Sequence, residues 1–153
     1  MVNLLFLSHT PSPNTAALRD ACLEGITHPD IQNISVTSCD YLSAGVDDVQ
    51  NADGIILGTT ENFGYMAGLT KDFFERIYYP CLESKQGLPV ALYIRAGLDG
   101  QGTKVAVGKI LTGLKWKLVQ ETLILHGEYK ESFKDEVREL GMNFAAGLEA
   151  GIF

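Results

Sequence analysis

The stretch ADGIILGTTENFGYMAGLTKDFFERIY, residues 52–78, decides how the rest of the chain is read. Near its start, Gly54-Ile55-Ile56-Leu57-Gly58 is an apolar run with no polar residue alternating into it. A strand half exposed to water alternates, whereas one covered on both faces does not, so this run reads as a central strand of a parallel sheet. Glycines and aromatics crowd residues 58–68. Then Met66, Leu69, Phe73 and Ile77 mark the buried side of a helix over residues 64–78, which Pro80 is expected to stop.

The same alternation of strand and helix extends both ways. Upstream, residues 2–7 (VNLLFL) form a second compact apolar strand. The turn formers SHTPSPNT (residues 8–15) follow, then a helix over residues 15–26 with Leu18, Ala21, Cys22 and Gly25 on one face. Ile34, Val36 and Ser38 alternate with Ser35 and Thr37, which predicts a half-exposed edge strand. A short helix or turn covers residues 46–51, where Asp47 and Asp48 suit a helix start. Downstream, residues 88–94 give a fourth strand. Residues 103–114 give a helix with Val107, Ile110, Leu111 and Leu114 at the spacing of a buried stripe. A fifth strand is predicted over residues 116–125 and a closing helix over residues 131–148, the latter burying Val137, Leu140, Phe144 and Leu148.

Five such units predict an α/β fold built as one domain over residues 1–153. It is a three-layer α/β/α sandwich around a five-stranded parallel sheet in the order 2-1-3-4-5, with right-handed crossovers. A response-regulator receiver would need an acceptor Asp ending the third strand, where this chain has Leu57-Gly58-Thr59. A low-molecular-weight tyrosine phosphatase would need Cys-x5-Arg after the first strand, and SHTPSPNT has neither residue.

Charge and cysteine usage narrow the partners. Lys and Arg number 12 against 19 Asp and Glu, a net charge of −7 that argues against nucleic acid and against an anionic membrane surface. Cys22, Cys39 and Cys81 form no CxxC or Cys/His pattern; they read as plain buried thiols in a reducing compartment, and the cytoplasm is the expected location. The opening MVNLLFL has no basic start and is too short to span a bilayer. His9, His28 and His126 lie too far apart to suggest a metal site.

In an open parallel sheet, ligands bind outside the carboxyl ends of the strands near the switch point. Three loops leave those ends with unusual composition. The first offers Ser8, Thr10, Ser12, Asn14 and Thr15 together with the N–H groups of a helix N-terminus, the donors a phosphate monoester needs. It holds no Lys or Arg, and it reads equally as a helix cap shaped by Pro11 and Pro13. The second contains Thr59, Thr60, Glu61, Asn62, Phe63, Gly64 and Tyr65. Its two aromatics offer flat surfaces to a planar ring, or they help the core. The third, after Arg95, contains Ala96, Gly97, Leu98, Gly100 and Gly102; its glycines permit close approach, but it is no GxGxxG dinucleotide fingerprint. No catalytic constellation of side chains is visible.

Together the three loops resemble the flavodoxin superfamily, and within it the small NAD(P)H-dependent FMN reductases and quinone oxidoreductases. The specific part is residues 52–78. They are similar to a pattern in which Asp precedes a buried strand, followed by a G-[ST]-[PT]-x-x-[FY]-G-x-M loop and a helix carrying K-x-F-x-[DE]-R. Asp53, Gly58, Thr59, Phe63, Gly64, Met66, Lys71, Phe73 or Phe74, Glu75 and Arg76 fill those positions. The first loop is similar to an S-x-[TP]-x-x-x-N-T phosphate turn. The resemblance implies FMN as cofactor, its phosphate on the first loop and its ring between the second and third. It implies an oxidoreductase passing hydride or electrons from NAD(P)H to a quinone or similar small-molecule acceptor. Such a flavin would supply the chemistry that the missing catalytic constellation does not. The alternative is a flavodoxin-type single-electron carrier docking on a redox protein, which an acidic surface suits. A homodimer is a further expectation. Two departures stand out: Pro13 removes an N–H where many relatives have glycine, and Glu61 puts negative charge beside the expected ring.

Overall fold

The computed structural model describes all 153 residues. The apolar runs become strands because their alternate side chains enter two different cores. β1 (Val2–Ser8), β3 (Gly54–Asn62) and β5 (Pro89–Ala96) form the centre of the sheet. Along them Leu5, Leu7, Ile55, Leu57, Val90, Leu92 and Ile94 enter one core, and Leu4, Phe6, Ile56, Ala91 and Tyr93 the other. The first core is closed by α2 (Val46–Gln50), α3 (Gly68–Cys81) and α4 (Gln101–Leu114), the second by α1 (Pro13–Ile26) and α5 (Ser132–Glu149). Each fully buried large aliphatic contributes about 1.5–3 kcal/mol by leaving water, so two faces are needed to hold so many.

β2 (Ile34–Cys39) lies beyond β1 as the expected half-exposed edge. The parallel order β2-β1-β3-β5 continues into a last position shared by β6 (Lys117–Leu118) and β7 (Leu123–His126). The architecture is therefore the expected three-layer α/β/α sandwich, with the fifth strand in two pieces. Ala91 and Leu92 of β5 face four residues, 119–122, because Val90 pairs with Leu118 and Tyr93 with Leu123. Polar Gln120, Glu121 and Thr122 have no layer to enter there, and the chain loops out.

Element ends differ from the sequence reading in instructive ways. α3 begins at Gly68 rather than residue 64, because residues 65–66 pair back on β3 as β4 (Tyr65–Met66). Met66 is buried from that strand, while Leu69 is 39 % exposed rather than part of the core. Pro80 does not stop α3; it sits in the last turn, where only its own missing N–H is lost, and the helix ends at Cys81. α1 starts two residues earlier than expected, with Pro13 at its first position, where its fixed φ suits a helix start. α4 also starts two residues early, after Gly100 at φ 70°, with Asp99 Oδ1 accepting the Gln101 N–H at 3.1 Å. Cys22 and Cys81 are buried and Cys39 half-buried, all as free thiols. No helix is long and apolar enough to cross a membrane.

Candidate functional site

The sheet brings the three loops to one edge. Ser8 pairs with Gly58, and Thr60 with Arg95, so β1, β3 and β5 release their chains side by side. The His9 N–H donates to the Gly58 carbonyl at 3.0 Å, as does the hydroxyl of fully buried Tyr41. Burial pushes the Tyr41 phenol far above its usual range, so it remains a donor at any physiological pH. Arg76 of α3 donates to the carbonyls of Tyr41 at 2.6 Å and Ala44 at 2.7 Å, and to Asp72 at 2.8 Å. One residue of the quoted pattern, Arg76, thus supports the site from behind by fixing the Tyr41 segment. Asp53 acts at the opposite end of the sheet, where its carboxylate accepts the Asn3 N–H at 2.8 Å beside the starts of β1 and β3. Tyr41 was not legible in the sequence, because a lone aromatic after an edge strand looks like any other core residue.

In the first loop, the capping reading holds for Ser12 and Thr15. The Thr15 N–H donates to Ser12 Oγ at 3.2 Å, the Ser12 N–H to Thr15 Oγ1 at 3.0 Å, and the two hydroxyl oxygens lie 2.9 Å apart. Both side chains face each other. What stays open lies at Thr10 and Asn14, whose N–H groups have no acceptor within the chain; Pro11 and Pro13 have no N–H to offer. No acidic residue in the first turn of α1 offsets its dipole. Partial burial pushes the His9 imidazole below its ordinary pKa and so towards the neutral form.

The second loop is a hairpin. Thr59 and Thr60 belong to β3 and are buried: Thr59 Oγ1 lies 2.8 Å from Thr70 Oγ1, and the Thr60 hydroxyl donates to Asn62 Oδ1 at 2.9 Å. Glu61 pairs with Met66 and Asn62 with Tyr65, leaving Phe63 and Gly64 as a two-residue tip. Both tip residues have positive φ, 54° and 73°, the pattern of a I′ hairpin turn. Glycine accepts that conformation freely, whereas Phe63 does so at a cost of about 1 kcal/mol. Its ring is fully exposed and Tyr65 is 42 % exposed, so neither serves the core.

The third loop seats the hairpin. Ala96 is buried, Gly97 and Leu98 are exposed, and Gly100 makes the left-handed step into α4. A Cβ on Gly102 would overlap the Gly64 carbonyl oxygen, so this glycine is where the hairpin tip rests on α4. Arg95 lies half-buried beside this loop. Its guanidinium donates to the carbonyls of Ala96 at 2.7 Å and Leu125 at 3.1 Å, and it lies 5.3 Å from the centre of the Phe133 ring, with no carboxylate partner. Of the sequence-derived candidates, Ser8, Thr10, Asn14, Glu61, Asn62, Phe63, Gly64, Tyr65, Ala96, Gly97, Leu98, Gly100 and Gly102 gather at this edge. Ser12, Thr15, Thr59 and Thr60 stand there too, with hydroxyls engaged inside the chain.

This is the flavodoxin-like fold. A flavodoxin from the domain Archaea superposes with a TM-score of 0.81 at 17 % identity, over 97 % of this chain and 99 % of that one. An NADH:FMN oxidoreductase in its apo form gives a TM-score of 0.75 at 17 % identity, over 99 % of this chain and 90 % of that one. A WrbA-like flavodoxin protein from Agrobacterium tumefaciens gives 0.75 at 16 % identity, over 98 % and 99 %. No protein-family model matches the sequence, and no curated protein matches it either.

Proposed function

We propose that the chain binds FMN at the carboxyl ends of β1, β3 and β5 and uses it to carry hydride or electrons between NAD(P)H and a quinone or similar acceptor. The residues present fit that group. One observation carries the reading: two unpaired N–H groups at an uncompensated helix N-terminus share a strand-end edge with exposed Phe63, Tyr65 and Leu98. Thr10 and Asn14 would hold the phosphate through backbone donors and the α1 dipole, which need no cation. Phe63 and Tyr65 of the hairpin and Gly97 and Leu98 of the third loop would flank the ring, beside the direct contact of Gly64 with Gly102. Glu61 and Asp99 would disfavour added negative charge nearby. When bound, FMN supplies hydride and one-electron chemistry, which accounts for the lack of a catalytic side-chain set.

The neighbours in fold include flavodoxins and an NADH:FMN oxidoreductase, and one experiment separates the two roles proposed for this chain. Protein mixed with FMN is expected to quench flavin fluorescence and then to oxidise NAD(P)H when benzoquinone is added. A one-electron-reduced flavin spectrum that persists without turnover assigns the carrier role instead. Unquenched fluorescence at all protein concentrations removes the flavin reading.

A further inference from the structure

Beside the hairpin, a groove of about 660 Å³ runs between the starts of α3 and α4. It is lined by Tyr65, Lys71, Gln101, Val105, Ala106 and Lys109, among others. Its volume lies within the range of sites that take small molecules, about 300–1,000 Å³. Two of its lining residues are exposed apolar side chains, Val105 at 53 % and Tyr65 at 42 %.

The charge of this groove is opposite to that of the molecule. The chain carries −7 overall, yet α4 contains Lys104 and Lys109 and no acidic residue. Neither lysine takes part in any ion pair of the structure, whereas Lys71 is held by Glu75 at 3.4 Å on the exposed side of α3. Glu75 lines the adjoining hollow with Tyr78 and Tyr79, not this one. A flat apolar wall next to an unpaired ammonium group recognises a ring that bears a negative substituent.

We infer that this groove is a subsite for a flat aromatic molecule carrying one anionic group. The ring lies against Tyr65, Val105 and Ala106, and the anion sits on Lys109 with the Gln101 amide beside it. The inference rests on the flavin reading only in one respect, the naming of this ligand as the electron acceptor that approaches past Tyr65. Binding to the groove itself does not require flavin.

The test uses a redox-inert probe on the full chain without FMN. Naphthalene-2-sulfonate and its neutral sulfonamide are titrated by calorimetry, with backbone amide NMR shifts to place them. The sulfonate is expected to bind about fivefold more tightly, with shifts centred on residues 65, 101, 105 and 109. Lys109→Gln should abolish that preference, whereas Lys104→Gln, which removes the same charge from the same helix outside the groove, should preserve it. Equal binding of the two probes, shifts elsewhere, or equal loss in both variants overturns the subsite. So does a dimer whose formation expels the probe, since the face would then belong to a second copy. Sulfonate binding that persists while FMN fails to bind strikes the redox reading alone.

Discussion

The first loop and the hairpin stand at the same sheet edge and are built in opposite ways. At residues 12–15 the hydroxyls are turned on each other: Ser12 and Thr15 form the cap, and the N–H groups of Thr10 and Asn14 are left free. At residues 63–65 the aromatic side chains are turned outward, and the tip accepts an unfavourable φ at Phe63 to do it. The first arrangement stabilises the fold whether or not a ligand is present. The second lowers stability until something covers the ring. Strain concentrated where no core contact explains it is characteristic of ligand-binding segments.

The largest test of this contrast is Gly102→Val. Its side chain must displace the hairpin tip from α4, because the atom it meets is the backbone oxygen of Gly64. Thermal or denaturant unfolding should show a loss of about 2–3 kcal/mol, and FMN affinity should fall by about tenfold, near 1.4 kcal/mol. Retained affinity would remove the hairpin from the flavin site. Next comes Ser12→Ala, which deletes the cap and should cost about 1 kcal/mol of stability. Its FMN affinity should change less than twofold, because the hydroxyl faces Thr15; a tenfold drop in a fluorescence titration would mean that the hydroxyl turns to the phosphate. The smallest effect is of opposite sign. Phe63→Asn places a residue tolerant of positive φ at the tip and should raise stability by about 0.5–1 kcal/mol, while weakening FMN severalfold. A variant both more stable and equally tight would show that the exposed ring has no ligand.

The layers and strand order were legible because burial on two faces leaves a plain mark, the unbroken runs at residues 2–7, 54–58 and 88–94. Helix faces were legible wherever one side packs, as for Leu18, Cys22, Val107 and Leu111. The hairpin was not. Thr59, Thr60, Glu61 and Asn62 look like loop residues, and they continue β3 only because residues 65–66 return to pair with them. The two-fold use of the first loop was visible as two alternatives, and the structure divides them by residue: Ser12 and Thr15 form the cap, while the N–H groups of Thr10 and Asn14 stay free. Tyr41, Arg95 and the unpaired Lys109 escaped notice because their meaning depends on partners far away in the chain, or on the lack of them.

The excursion at residues 119–122 bears on how the protein behaves in a crowded solution. A long, straight outer strand offers its free N–H and C=O groups to any passing chain. Here that border is cut into runs of two and four residues by a kinked segment carrying Glu121, so no foreign strand can zip along it. The interruption acts as a built-in guard against sheet-to-sheet polymerisation on the side of the molecule farthest from β2.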